Sequence, residues 1–475
     1  MGASKQRKLR FLYVAWAFCE SFGFGGLVFG WGSFVYVLKD EGLYAELCNN
    51  GTSNSTHNGS LNEDCPDRDS RLELVFTIGS TCAGIGSFVL GQISFYFGMR
   101  VARIVASLCF MCGAYIIAFT TNDLPWLIFP GMALVAFGGI SLIMTNVQLS
   151  NMFPVGGGAV VGIISGAFDS SSGIQLMVKL GYEQGISRKT SYLILASTHV
   201  LTFVSTFLFL PKDYVHPVQE EYVVTQEIEL EIPEKPGLDS GKTEKKVTSK
   251  TTSDNEVNLS SLVRLIRTPT YLLHVMWVCL LQLRLFYILG SINRILEKEL
   301  ENKKEVSDYT NVMLYVLMGG IVASPLAGAF LELNISLFKN SKSSFSRSVK
   351  PNIMSLTLTS ALGVVLSVLL LLEDPSHLYY IFVFLVLYRS IFYTMVNAYI
   401  VLAFPSAFIG SLIGITTVTS GVFCLLQHAL FEWSARRNAK EVNIFLIVLI
   451  GISCIHPFWQ WIACRRAEQR ESTKE

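Results

Sequence analysis

The chain has 475 residues, of which 51% are hydrophobic and only 15% charged, and its formal net charge is +1. Soluble domains carry about 25% charged residues, so this composition excludes an ordinary soluble fold. A near-neutral balance also leaves no basic footprint for nucleic acid.

The apolar residues fall into twelve stretches, each about the length that crosses a bilayer, where roughly 20 residues are needed. Residues 1–10 are basic (Lys5, Arg7, Lys8, Arg10) and run into the first stretch without a small-residue cleavage site. Helix 1 is therefore expected to be retained as a signal anchor. The predicted spans are helix 1 at 11–38, helix 2 at 72–97, helix 3 at 101–121, helix 4 at 124–152, helix 5 at 159–180 and helix 6 at 191–210. A polar segment at 211–267, rich in Glu, Lys, Ser and Thr, reads as a solvated, disordered linker. Six more spans follow: helix 7 at 271–296, helix 8 at 310–330, helix 9 at 353–372, helix 10 at 378–404, helix 11 at 407–431 and helix 12 at 442–464. Six helices, a polar middle and six more is the plan of a secondary transporter built from two similar halves.

Orientation follows from basic residues in short loops. The N-terminus, the 2–3 turn (Arg100, Arg103), the 8–9 loop (Lys339, Lys342, Arg347, Lys350) and the tail (Arg465, Arg466, Arg470) share one side if both termini are cytoplasmic. The 11–12 loop (Arg436, Arg437, Lys440) dissents. The loop after helix 1 holds three glycosylation sequons, at Asn50, Asn54 and Asn58, which places it outside. Cys48 and Cys65 flank them, and a disulfide is expected there, with two free thiols as the alternative. Asn258 begins a further sequon, on the side where it would stay unmodified.

Lipid gives helices no hydrophobic reason to associate, so close packing uses small residues. Gly26 and Gly30, Gly162 and Gly166, and Gly410 and Gly414 each have GxxxG spacing. These faces suit either sliding or static tight packing. Cys109 and Cys112, inside helix 3, read as a buried thiol pair rather than a redox site. No zinc spacing, metal motif or nucleophile–base spacing occurs, so neither an enzyme nor a metal or cofactor is expected.

Ionisable residues inside the membrane are costly and informative. Those read from the spans are Glu20, Asp169, Arg284 and Arg389. Uncharged hydrogen-bonding groups accompany them: Thr145, Asn146 and Gln148 in helix 4, Ser170 to Ser172 in helix 5, Gln282 and Asn293 in helix 7, and Tyr393 and Asn397 in helix 10. Asp169 can pair with Arg284 or with Arg389, and the pair can be a tie between halves or part of a solute site. Two buried carboxylates are few for ion coupling, which favours energy-independent facilitation of a neutral, planar or zwitterionic solute. Phe168 and Tyr393 adjoin the polar cluster.

The twelve helices, the 2–3 turn Gly91…Gly98-Met-Arg100 and the 8–9 turn from Gly328 to Glu332 resemble the major facilitator superfamily. That family's turn pattern is G-x-x-x-D-x-x-G-R-K. Phe95 stands where the first copy has its acid, and the second keeps Glu332 but lacks the downstream Gly. The strings running from Cys19 to Gly32, Thr145 to Phe153, Gly166 to Ser172, Gln282 to Tyr287 and Leu402 to Pro405 resemble solute-carrier family 43. One branch of that family moves large neutral amino acids without sodium, and the other is an equilibrative nucleobase branch that passes purine bases. Helices 4, 5 and 10 look like the nucleobase branch; the Lys39 to Tyr44 stretch and the Gln282 string look more like the amino-acid branch. An amide pair such as Asn146 and Gln148 donates and accepts together, as a purine edge requires. A carboxylate would want a broken helix N-terminus, and none is obvious in the sequence.

The expectation is an all-α membrane protein of the major facilitator fold. Its parts are a cytoplasmic start (1–10), a first half (11–210) with an extracellular loop (39–71), a cytoplasmic linker (211–267), a second half (268–464) and a cytoplasmic tail (465–475). The resemblance implies sodium-independent transport of purine nucleobases across the plasma membrane. Large neutral amino acids are the alternative, and a non-transporting receptor a further one. Candidate solute-binding residues are Thr145, Asn146, Gln148, Phe168, Asp169, Gln282, Arg389, Tyr393 and Asn397. Candidate gating residues are Glu20, Asp169, Arg284, Arg389 and Glu332. The expected partners are a small solute and the bilayer, without nucleic acid or an obligate subunit.

Overall fold

The computed structural model describes residues 3–48, 65–153, 157–208, 259–300, 302–341, 343–372, 374–405 and 408–473. The sequons at Asn50, Asn54, Asn58 and Asn258, and linker residues 211–258, lie outside them. Among the described residues every regular element is a helix. Ten helices are long and apolar enough to cross a membrane, and a bent pair, Arg10–Gly25 and Leu27–Asp40, makes an eleventh if counted as one span. The fifth apolar stretch is helical in two pieces, Gly157–Ser170 and Gly173–Glu183, and is not among those spans.

Helix 1 departs most from expectation. It is not continuous but runs as Ala3–Glu20, a wide turn at Ser21–Gly25, a tight turn at Leu27–Gly30, and Trp31–Asp40, with a bend of 49°. Glycine weakens a helix by about 1 kcal/mol relative to alanine, and Gly23, Gly25 and Gly26 crowd this turn. What the glycines allow is close approach. A Cβ on Gly26 would lie 2.6 Å from Ser171 Oγ, one on Gly30 2.6 Å from the Ser172 carbonyl, and one on Gly139 2.5 Å from the Phe24 carbonyl. Helix 1 is thereby pressed into helices 4 and 5, and the Gly26 N–H donates to Ser171 Oγ at 2.7 Å.

Helix 2 (Pro66–Phe97) and helix 3 (Met99–Ala118) are continuous. Helix 4 runs Ile128–Val147 with a tight turn at each end, and helix 6 runs Arg188–Thr198 and Leu201–Leu208. A short helix, Leu259–Ile266, occupies the end of what the sequence suggested was linker. Helix 7 (Pro269–Glu299) is unbroken, unlike its counterpart helix 1. Helix 8 is Lys303–Met318 and Gly320–Phe338, helix 9 Ser344–Leu369, and helix 10 Leu378–Ala403. Helix 11 is Ile409–Phe423 and Leu426–Arg436; helix 12 is Ala439–Ser453 and Ile455–Ser472, so the expected tail is helical through Ser472.

The first six and last six helices meet along helix 5 with helix 8, helix 2 with helix 11, and the second piece of helix 1 with helix 7. The GxxxG pairs divide accordingly. Gly26 and Gly30 pack within the first six helices, whereas a Cβ on Gly166 would meet Ile321 Cα of helix 8 at 3.1 Å, and one on Gly414 would meet Phe88 of helix 2 at 2.5 Å. Gly410 has nothing within 4 Å.

Cys48 and Cys65 are joined, Cα to Cα 5.4 Å, at the end of the molecule that the expected topology makes the outer end. Cys112 is exposed and Cys109 only half-buried, which corrects the reading of a buried thiol pair. The dissenting Arg436 is held by acids, Glu432 at 2.7 Å and Asp67 of helix 2 at 3.9 Å.

Candidate solute site between the halves

Asp169 is the last residue but one in the first piece of helix 5, where the glycines bring helix 8 close. A Cβ on Gly320 would lie 2.8 Å from Asp169 Cβ, so only a residue without a side chain fits there. Ser170 Oγ fastens the break in helix 8, donating to the Met318 carbonyl at 2.8 Å and accepting from the Ile321 N–H at 3.1 Å. Ser324 Oγ donates to Asp169 Oδ2 at 2.6 Å. Across the seam, Arg389 Nε of helix 10 lies 3.2 Å from Asp169 Oδ1. Of the two bases open to Asp169, the fold brings Arg389.

Both charges are buried, at 3% and 2% exposure, yet the pair is incompletely satisfied. Beyond this ion contact, no nitrogen of the Arg389 guanidinium has a hydrogen-bond partner, nor has Asp169 Oδ1. Aromatic rings surround them instead. The guanidinium lies 5.1 Å from the Phe29 ring centre and 5.9 Å from that of Tyr393, a range in which a cation is attracted to a ring face. Phe168 stands edge-on to both rings, 5.9 Å from Phe29 and 6.5 Å from Tyr393. The result is a charged pair with free donors and a free acceptor, walled by three aromatic faces. Such a place can hold a flat solute bearing both hydrogen-bonding senses on its edge.

The other candidates lie elsewhere. Arg284 does not reach Asp169; its Nη1 donates to Asn443 Oδ1 of helix 12 at 2.8 Å, inside the second half. Glu20 pairs with Arg103 at 2.6 Å and accepts from Trp16 Nε1 at 2.8 Å and from Ser205 Oγ. Arg103 in turn donates to Thr206 Oγ1 at 2.9 Å, Thr145 Oγ1 at 3.0 Å and Asn146 Oδ1 at 2.8 Å. The Asn146 amide also donates to Ser21 Oγ at 3.1 Å. Thr145 and Asn146 are thus tied into a buried network within the first half. Glu20 likewise joins helices of one half rather than bridging the two. Gln148 donates to Ser94 Oγ of helix 2 at 3.3 Å, with Oε1 unpaired. Gln282 is buried, and Asn397 and Glu332 are exposed. In the 2–3 turn Arg100 donates to the Thr206 and Phe207 carbonyls, capping the end of helix 6, while Phe95 is exposed.

Several charged residues escaped the sequence reading. Arg103, read as a turn marker, lies inside helix 3, 1% exposed. Lys179 of helix 5 is fully buried and donates to Glu183 Oε1 (2.8 Å), Ser307 Oγ (2.5 Å) and Asn311 Oδ1 (2.8 Å). Glu73 of helix 2 faces Arg294 of helix 7 at 3.3 Å. At the outer end Lys39 joins Asp69 (2.7 Å) and Glu297 (2.6 Å), and Lys303 reaches Asp40. Lys179 and Glu73 stood inside predicted spans, so counting every charge there was the missed signal. Ion pairs that join the halves include Asp169–Arg389 and a cluster at the outer end.

The sequence profile described as Major Facilitator Superfamily matches residues 67–427. The chain is 30% identical over 484 residues to a Bos taurus protein named Equilibrative nucleobase transporter 1, with 96% of each covered. It is 25% identical over 484 residues to Large neutral amino acids transporter small subunit 3 of Homo sapiens, covering 87% of this chain and 86% of that one. A crystal structure of the peptide transporter POT superposes with a TM-score of 0.60 at 12% identity, covering 98% of this chain and 95% of the other. An auto-inhibited peptide transporter of the POT family gives 0.53 at 12%, covering 95% and 97%. At such identity the two structures speak for the fold alone.

Proposed function

This multi-pass membrane protein belongs to the major facilitator superfamily of transport proteins, and on that premise we propose that it carries purine nucleobases such as adenine, guanine and hypoxanthine across the plasma membrane, without sodium and down their gradients. The observation that carries the reading is the Asp169–Arg389 pair: buried between the halves, short of hydrogen bonds, and walled by Phe29, Phe168 and Tyr393. A purine offers two flat faces, which stack on aromatic rings. Its edge carries adjacent donors and acceptors. The Arg389 fork donates to ring or carbonyl acceptors, and Asp169 accepts from a ring or amine N–H. The solute enters between the two charges, loosens their contact, and lets helices 5 and 10 part; on release the pair re-forms.

Facilitation without a coupling ion is supported by the pairing of the buried carboxylates. Glu20, Glu73 and Asp169 each have an arginine as counter-charge, so each carboxylate's charge is balanced without a sodium ion. In this reading the two six-helix halves rock about the site, joined by the 211–267 linker, and one chain suffices. Both termini are cytoplasmic, and the disulfide-bonded, glycosylated loop is extracellular. The 30% identity to a nucleobase transporter over nearly the whole chain supports this substrate class.

One observation favours a second reading. A base beside an acid also matches the carboxylate and ammonium of an amino acid, and helix 1 is broken where the sequence suggested no break. Tracer uptake of adenine and of leucine in the same expressing cells, with sodium and with choline, separates the two. Sodium-independent adenine uptake is expected. Leucine uptake alone would establish the amino-acid reading, and uptake of neither would leave a receptor.

A further inference from the structure

At the outer end, helices 1, 2 and 7 line a half-open pocket of about 10 Å³, the space of a single water. Trp31, Glu73 and Asn293 line it and are 1%, 4% and 2% exposed. The Trp31 Nε1–H, both Glu73 carboxylate oxygens and both amide atoms of Asn293 have no hydrogen-bond partner. Buried polar groups are nearly always paired, and each exception calls for a reason. Trp31 and Asn293 without hydrogen-bond partners, beside a Glu73 held only by its ion contact with Arg294, converge on one small pocket at a seam joined by Lys39–Glu297 and Asp40–Lys303, and point to groups used in another state of the molecule.

A line of rings connects this cavity to the central pair. Trp31 lies 5.9 Å from Phe76, Phe76 6.1 Å from Phe286, Phe286 5.6 Å from Phe29, and Phe29 5.1 Å from the Arg389 guanidinium. These spacings are within the range of aromatic contact, and the rings come from helices 1, 2 and 7. Gly290 lets the line close up, since a Cβ there would meet Phe431 at 2.4 Å and Phe76 at 2.9 Å.

We propose that Trp31, Glu73 and Asn293 form an outer station for the transported solute, a planar nitrogen heterocycle with an amine or carbonyl edge, and that the ring line leads it to Asp169 and Arg389. The proposal rests on the purine reading of the central site. With the outer seam open, Glu73 accepts from a ring or exocyclic N–H, the Asn293 amide both donates and accepts, and Trp31 offers its face. Closure follows once the solute has moved inward, which leaves Glu73 with Arg294 alone and Trp31 and Asn293 without hydrogen-bond partners, as observed.

The test is tracer uptake of adenine, hypoxanthine and unsubstituted purine by wild type, Asn293→Leu and Glu73→Gln, normalised to protein at the cell surface. Asn293→Leu is expected to lower the efficiency of adenine uptake about tenfold, as losing a buried hydrogen-bonding group does, while unsubstituted purine changes less than about twofold. Glu73→Gln, which exchanges an acceptor for a group that also donates, should shift preference from adenine toward hypoxanthine. These are ratios between solutes, which a merely structural role does not move. If Asn293→Leu fails to reach the surface, the Glu73→Gln ratio decides. Unchanged ratios beside normal wild-type adenine uptake overturn the outer station alone. Absence of adenine uptake by wild type overturns the central reading and the station with it.

Discussion

Replacing Asp169 by Asn removes the counter-charge of a buried arginine and little else. The amide is nearly the same size and keeps an oxygen for the Ser324 hydroxyl, now 2.6 Å from Asp169 Oδ2. At 3.2 Å, and with the effective dielectric of about 20 that suits protein charge pairs, the attraction lost is about 5 kcal/mol. Arg389 keeps its contact with the Phe29 ring in both proteins, so that contact does not enter the difference. Breaking a buried pair from one side generally costs about 3–5 kcal/mol, so the two routes agree. We predict a fall in stability of about 3–5 kcal/mol, read from thermal unfolding of the detergent-solubilised protein by fluorescence size-exclusion, with loss of uptake. The exchange Asp169→Arg with Arg389→Asp restores most of the stability but not uptake, because it turns the donors and the acceptor the wrong way round for the solute. If Asp169→Asn is as stable as wild type within about 0.5 kcal/mol, the buried-pair reasoning fails. If the exchange restores uptake as well as stability, the pair is only a tie between halves.

Arg103→Met leaves Glu20 buried without its partner and empties the donors that hold Thr145, Asn146 and Thr206; a loss of about 3–5 kcal/mol is expected, seen as failure to reach the cell surface. Gly30→Ala sets a methyl 2.6 Å from the Ser172 carbonyl, whereas Gly23→Ala has nothing within 4 Å. The first should abolish surface expression and the second leave it unchanged, and equal behaviour of the two would discount the close approach of helices 1 and 5. Cys48→Ser with Cys65→Ser opens a loop closed over a sequence separation of 17, which is worth about 3 kcal/mol in the chain-entropy account. A lower unfolding temperature is expected, and mass spectrometry of the alkylated wild type should find both thiols protected.

Much of the fold was legible because the bilayer imposes a local rule. Each span needs a run of apolar residues, and such runs stand out whatever the rest of the chain does. The breaks were less legible. The glycines of helix 1 were read as a smooth packing face, yet Gly26 and Gly30 mark where the backbone leaves the helix to reach Ser171 and Ser172. Glycine spacing is the same for both outcomes, and what lies opposite decides between them. The site was half legible. Asp169, Arg389, Phe168 and Tyr393 were singled out and stand together, while Phe29, lost among 32 phenylalanines, was not.

What the sequence determined by itself is the class of molecule: a helical membrane protein whose apolar stretches come in two sets of six, resembling one transporter family, with few charges inside it. Those properties depend on composition and short-range order. Tertiary structure alone decided who meets whom. Asp169 could have met Arg284, 115 positions along, or Arg389, 220 along; the choice turned on glycines at 166 and 320, which let helices 5 and 8 close up beside helix 10. Thr145 and Asn146 carry the right groups for a purine edge but face Arg103 within their own half. The rotation of a helix about its axis is fixed by all of its neighbours at once, and a linear sequence does not display it.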